Sequence, residues 1–212
     1  MKKYIAEFLG TFALVFCGTG AIIINEQTHG VIGHAGIAIT FGLIVTAMIY
    51  TFGNISGSHL NPAVTLGFSV LKLFKAKDIL PYLIAQIAGA FAASFLLKFL
   101  FPENMNLGAT LPAGSQIQSF ILEFILTYFL MLTILFTSQG TEKTQQLAGL
   151  IIGGVILLEA MFAGPICGAS MNPARSLAPA IVSGQLHSLW LYLLAPVCGS
   201  LSATFSYKFL SV

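Results

Sequence analysis

One nine-residue pattern occurs twice, as Ser56-Gly57-Ser58-His59-Leu60-Asn61-Pro62-Ala63-Val64 and as Cys167-Gly168-Ala169-Ser170-Met171-Asn172-Pro173-Ala174-Arg175. The two asparagines stand 111 residues apart in a chain of 212, so each half of the chain holds one copy. Each copy ends a long apolar run, passes through small residues that suit irregular backbone, and opens a helix on Asn-Pro-Ala. Proline is tolerated at the first helical position because its missing N–H has no helical partner there, and asparagine before it is a favoured cap. The rest of the chain reads as scaffold for these two helix starts.

A helix crosses a bilayer core of about 30 Å with some 20 mostly apolar residues. Six stretches meet that requirement, approximately 4–24, 34–53, 79–100, 117–137, 146–164 and 188–210. The runs from Asn61 to about Leu71 and from Asn172 to about Val182 reach only some 16 Å at 1.5 Å per residue. They are expected to be re-entrant half-helices. The composition agrees, with 8% charged residues against about 25% for an ordinary soluble domain. The net charge of +2 is spread over lysines at span ends, with no basic stripe for nucleic acid. The three cysteines, Cys17, Cys167 and Cys198, are odd in number and lie in or beside apolar runs, which argues against a disulfide framework. Met1-Lys2-Lys3 before an apolar run resembles a signal peptide, yet the run continues to Ile24 without a convincing cleavage site, and it is taken as the first span.

Lys2, Lys3, Lys72, Lys75, Lys77, Lys143 and Lys208 fall on one side if the six spans alternate, whereas the loops at 25–32 and 102–115 hold no Lys or Arg. Because short cytoplasmic loops are enriched in Lys and Arg, both termini are expected in the cytoplasm. The halves, approximately 1–101 and 116–212 with a linker at 102–115, form one domain and resemble each other further. The segment from Pro81-Tyr82-Leu83-Ile84-Ala85 to Lys98-Phe99-Leu100 matches that from Leu191-Tyr192-Leu193-Leu194-Ala195 to Lys208-Phe209-Leu210, and Glu7-Phe8 with Thr11 echoes Glu123-Phe124 with Thr127. Three spans per half is an odd number, so the second half enters from the opposite side. The expected fold is an all-α membrane protein, six transmembrane helices plus two re-entrant half-helices in an inverted repeat.

In such a repeat the half-helix N-termini meet at mid-membrane, each carrying about half a positive charge, which repels cations. Asn61 and Asn172 bring amide donors to that point, and the carbonyls of Ser58, His59 and Leu60 and of Ala169, Ser170 and Met171 line the approaches as acceptors. Irregular backbone at membrane depth is tolerated where it lines a wet cavity. This is the wiring of a narrow polar pore.

The paired Asn61-Pro62-Ala63 and Asn172-Pro173-Ala174-Arg175 motifs in a six-span inverted repeat resemble the aquaporin, or major intrinsic protein, family over nearly the whole chain. The resemblance implies a passive channel without cofactor or metal, a homotetramer with one pore per subunit, and a bilayer, water and small neutral solutes as its partners. It also implies a four-residue constriction at Phe41, Ala160, Ala169 and Arg175, which stand at the family's distances from the motifs. Arg175 is the single arginine of the chain, and Val64 is its first-half counterpart. Water-selective members usually carry histidine where this chain has Ala160, so a wider and less polar constriction is expected. Glycerol facilitators share that openness but pair it with Trp and Phe and an Asp after the arginine, where this chain has Ser176. The segment Gly164–Val182 is most similar to the plant nodulin-type branch and its bacterial relatives, whose members pass water with glycerol or uncharged metalloid hydroxides such as arsenous or boric acid. A water-only pore, with a side chain such as Phe162 filling the gap, is the alternative.

Glu7 and Glu123 are carboxylates inside spans, costly unless hydrogen-bonded. Their repeat-related placement favours holding the irregular backbone before each half-helix over a proton relay. Glu159 either lines the pore vestibule or faces a neighbouring subunit. His59 is read as pore wall rather than pH gate, and Cys167 as either pore-accessible or buried. A secondary transporter would show a charged or ion-coordinating cluster at midplane, and a membrane hydrolase a nucleophile with a paired histidine or a metal set; neither pattern is present, so no enzyme is expected. Short tails and loops suggest a prokaryotic inner membrane.

Overall fold

The computed structural model describes residues 1–211, and among them there is no strand. Six long apolar helices are present, α1 (Lys2–Gln27), α2 (Gly33–Ser56), α4 (Ala76–Leu100), α5 (Gln116–Ser138), α7 (Ala148–Cys167) and α9 (Leu189–Leu210). Two short ones, α3 (Pro62–Val70) and α8 (Pro173–Ser183), occupy the expected half-helix positions. Helix is the secondary structure that an isolated span can adopt in lipid, because it pairs its own backbone groups. The expected spans are found with ends extended by up to three residues. The sixth span is an exception at its start, beginning at Leu189, and the fifth begins at Ala148 because a separate short helix, α6 (Glu142–Gln146), precedes it. That helix was not expected. Thr141 caps it by accepting from the Thr144 N–H at 3.3 Å.

The inverted repeat is visible in the packing. α1 lies against α2 and α4, as α5 lies against α7 and α9. Each half-helix also packs on the last long helix of the opposite half, α3 on α9 and α8 on α4, and Ser200 of α9 donates to the carbonyl of Ala63 in α3 at 2.7 Å. Lipid tails give helices no hydrophobic reason to associate, so close contact must supply the attraction. Here glycine allows it. A Cβ on Gly89 would overlap the carbonyl of Phe8, and one on Gly199 the carbonyl of Phe124, the same approach in both halves. Large apolar side chains such as Leu43, Phe95, Phe129 and Phe205 remain exposed on the outside, as a hydrocarbon surrounding requires.

Candidate functional site

The site begins where α2 and α7 end. Gly57 and Gly168 both take φ of +83°, closing their helices with N–H bonds to Gly53 at 2.9 Å and Gly164 at 3.0 Å. Beyond them Ser58 and Leu60, at φ +46° and +50°, match Ala169 and Met171, at +42° and +53°. Left-handed backbone at residues that carry a Cβ costs of order 1 kcal/mol each and persists only where the surroundings enforce it. The enforcers are the two buried glutamates. Glu7 accepts from the N–H groups of His59 at 3.0 Å and Leu60 at 2.8 Å, and also from Ser56 Oγ and Gln86 Nε2, both at 2.7 Å. Glu123 accepts from the N–H groups of Ser170 at 2.7 Å and Met171 at 2.8 Å. Tyr82 and Tyr192 tie down the preceding turns, donating to the carbonyls of Ser56 at 2.8 Å and Cys167 at 2.7 Å.

The two asparagines then lock the centre. Asn61 Oδ1 accepts from the N–H of Ala63 at 2.9 Å, and Asn172 Oδ1 from Ala174 at 3.0 Å and Arg175 at 3.3 Å, so each amide oxygen caps its own half-helix. Each amide nitrogen reaches across, Asn61 Nδ2 to the carbonyl of Met171 at 2.7 Å and Asn172 Nδ2 to that of Leu60 at 2.9 Å. This corrects the sequence reading of those two carbonyls, which are already paired with an asparagine of the other half. The carbonyls of Ser58, His59, Ala169 and Ser170 accept no protein hydrogen bond among the described residues.

Arg175, in the first turn of α8, is 2% exposed. One terminal nitrogen donates to the carbonyl of Gly108 at 2.9 Å, and its guanidinium carbon lies 5.1 Å from the centre of the Phe41 ring. Gly108 sits at φ +66° where a Cβ would lie 2.6 Å from Thr19 Cβ, so the supporting loop needs glycine twice over. No carboxylate lies within ion-pair distance of Arg175 among the described residues, and its Nε has no protein acceptor. Phe41 is seated against Gly18 of α1.

A cavity of about 510 Å³ runs from Glu142 and Gln146 at α6, past Val45 and Ile49 of α2, to the asparagine pair, Phe41 and Arg175. Ser58, His59, Leu60, Ala169, Ser170 and Met171 also line it. His59 is stacked 4.8 Å from Phe68 and packed against Phe74 and Tyr82, with Nδ1 3.1 Å from Thr65 Oγ1. Of the four expected constriction residues, Ala160 is the one that does not line this cavity. It is 7% exposed within the apolar core, and Ile156 and Ile152, one and two turns earlier in α7, face the cavity instead. Phe162 is 63% exposed on the outer face, so it does not fill space beside Ala160. Glu159 lies in an outer groove with Ile125, Phe129, Leu158 and Phe162 between α5 and α7, away from the cavity, and its Oε2 has no donor. Cys167 is fully buried, with Sγ 3.5 Å from the carbonyl of Ala163. Sequence reasoning missed Gln86, Gly108 and the isoleucines. Only the isoleucines left a signal, a spacing of four residues counted back from Ala160 along one helix face.

With this geometry in view, the sequence model described as major intrinsic protein matches residues 1–207. Aquaporin NIP1-1 of Oryza sativa subsp. japonica is 44% identical over 209 residues, covering 98% of this chain and 74% of the relative. Nodulin-26 of Glycine max is 41% identical over 209 residues, covering 98% and 77%. The crystal structure of the aquaglyceroporin from Plasmodium falciparum superposes with a TM-score of 0.88 at 29% identity, covering 99% of this chain and 96% of that one. The plant origin of these sequence relatives lends no support to the prokaryotic inner membrane suggested by the short tails. The six apolar helices, the paired half-helices and the match along the chain lead to one conclusion: this protein belongs to the major intrinsic protein family and is a multi-pass membrane channel for water and small solutes, not an enzyme.

Proposed function

We propose that the chain conducts water together with small uncharged solutes, glycerol and metalloid hydroxides such as arsenous or boric acid among them, while excluding ions and protons. The observation that carries the exclusion is the locked asparagine pair. Each amide has two N–H donors and one oxygen. The oxygen is spent on the half-helix and one N–H on the opposite loop, so what remains at the centre is a second N–H from each side. A water molecule there accepts from both asparagines and turns its own hydrogens outward, which interrupts a chain of water-to-water proton donation. The positive ends of α3 and α8 add a repulsion for cations, and the unpaired charge of Arg175 adds another.

The breadth of solutes follows from the constriction assigned to Phe41, Ala160, Ala169 and Arg175. Arg175 lines the cavity with one terminal nitrogen spent on the Gly108 carbonyl, which leaves guanidinium N–H groups for a solute oxygen. Ala160, one turn beyond the cavity-lining Ile156 along α7, would border the constriction just past the cavity with a methyl group where an imidazole would add bulk and a second donor, and Phe162, on the outer face, does not take that place. A strictly water-selective pore is the second reading. Reconstituted channels in stopped-flow light scattering are expected to shrink fast under an impermeant osmolyte and to reswell fast with glycerol or boric acid. Fast shrinkage with reswelling no quicker than in protein-free vesicles would establish the water-only pore.

The same proposal has the channel as a homotetramer with one pore per subunit and both termini in the cytoplasm. The α5–α7 groove supports the assembly, because a carboxyl group in an otherwise apolar outer groove, its buried oxygen without a donor, is costly against lipid and calls for a neighbouring subunit. A mass of one subunit plus detergent in light scattering would exclude it. Ser58, His59, Leu60, Ser170 and Met171 are the pore wall on either side of the asparagines, and Glu7 and Glu123 are the braces of the two loops.

A further inference from the structure

We infer that His34 is a positioning residue for the constriction, fixing the separation of the helices that carry Phe41 and Ala160. The inference rests on the constriction assigned above. Its origin is Pro165, inside α7. Proline has no N–H, so the carbonyl four residues earlier, that of Met161, loses its helical donor. An unpaired carbonyl at membrane depth is costly, and a neighbouring helix commonly supplies the replacement. His34, in the first turn of α2, does so, with Nε2 2.7 Å from the Met161 oxygen. The oxygen can only accept, so Nε2 carries the hydrogen. Gly164 makes room for the ring, since a Cβ there would lie 2.7 Å from His34 Cε1.

The place of this bond gives it a consequence for permeation. Met161 follows Ala160 directly, and His34 precedes Phe41 by two helical turns. On the other side of that pair α2 and α7 touch through backbone, a Cβ on Gly42 falling 2.7 Å from the carbonyl of Gly153, and Thr46 Oγ1 donates to the carbonyl of Gly149 at 3.0 Å. The constriction residues therefore lie between a glycine crossing that cannot close further and one side-chain bond that keeps the outer ends from parting. Among the described residues, His34 and Thr46 make the side-chain hydrogen bonds that join α2 to α7, and His34 makes the one on the outer side.

The test is the ratio of glycerol to water permeability in proteoliposomes, a quantity independent of how much protein inserts. His34→Leu is expected to raise the ratio by about threefold or more, the scale of one lost hydrogen bond. His34→Gln, whose amide can donate to the same carbonyl, is expected to stay near the parent. Pro165→Ala returns an N–H to Met161, so adding His34→Leu to it is expected to change nothing further. An unmoved ratio in His34→Leu, or an equal rise in the presence of Pro165→Ala, would overturn the inference. Should His34→Leu not insert, the double variant is expected to insert, and its failure would overturn the inference equally. Ala160→His, measured alongside, separates the two levels. If it leaves glycerol flux unchanged, the constriction assignment fails, whereas if it lowers glycerol flux while His34→Leu leaves the ratio unmoved, only the role of His34 fails.

Discussion

The two re-entrant loops share a backbone and differ in almost every side chain that faces the cavity. Gly57 and Gly168, Ser58 and Ala169, and Leu60 and Met171 repeat the same left-handed positions, and Tyr82 and Tyr192 make the same bond to the turn before. Yet the third residue of each half-helix is Val64 on one side and Arg175 on the other, and the residue two before the asparagine is His59 on one side and Ser170 on the other. The glutamates differ too. Glu7 gathers four donors, including Ser56 and Gln86, whereas Glu123 takes two backbone donors, with only the weak thiol donor of Cys167 and the donorless Pro196 at the repeat-related positions. The pseudo-symmetry belongs to the scaffold that bends the chain. The cation belongs to one half.

The largest effect is expected from erasing that difference. Arg175→Val gives the second half the residue of the first and removes the charge beside Phe41. It is expected to raise glycerol permeability and to admit a proton leak at least about tenfold above the parent, the scale of one desolvated charge interaction. A pH-sensitive dye in proteoliposomes checks the leak, and an unchanged rate would assign proton exclusion to the asparagine pair alone. Next come the glutamates. Glu7→Leu strips acceptors from four donors, three of them on buried residues, and at about 1–3 kcal/mol for each unsatisfied buried group the chain is expected not to reach a stable fold in detergent. Glu123→Leu strips two and is expected to cost about half as much. Equal losses in thermal unfolding would mean that Ser56 and Gln86 contribute nothing to the first loop.

A gentler version sharpens the same contrast. Gln in place of either glutamate keeps the shape but turns one oxygen into a donor facing other donors. The loss is expected to be larger at Glu7, about 2 kcal/mol against about 1 kcal/mol, because both of its oxygens are fully used. Smallest of all is the effect of pH through His59, the imidazole without a counterpart. Phe68, Phe74 and Tyr82 enclose it and Thr65 meets its Nδ1, so water permeability is expected to stay flat from pH 5 to 8. A step near pH 6.5 that disappears in His59→Gln would make it a gate.

Much of this architecture was legible because membrane spans and helix starts are local signals. Length and hydropathy mark α1, α2, α4, α5, α7 and α9, and Asn-Pro marks the starts of α3 and α8, whatever the rest of the chain does. The glutamates were legible by their repeat-related placement, which the bonds from Glu7 to His59 and Leu60 and from Glu123 to Ser170 and Met171 explain. Facing direction was less so. Ala160 and Glu159 are neighbours in sequence, yet one sits in the core and the other in an outer groove, since successive helical residues point about 100° apart and the phase of a uniformly apolar helix cannot be fixed from its own pattern. Partnerships across the halves were not legible at all. Asn61 with Met171 and Asn172 with Leu60 join residues more than a hundred positions apart, and nothing local announces them.

Those crossed asparagine bonds bear on how the channel is made. Each half supplies the carbonyl that the other's asparagine needs, so the first loop has no partner for Asn61 until the chain has been synthesised past Met171. A nascent protein carries an unfinished mouth in the membrane through most of translation. The centre of the permeation path thus waits for the second half, and a chain stopped before Met171 holds the helices of the first half without the crossed bonds that close its loop.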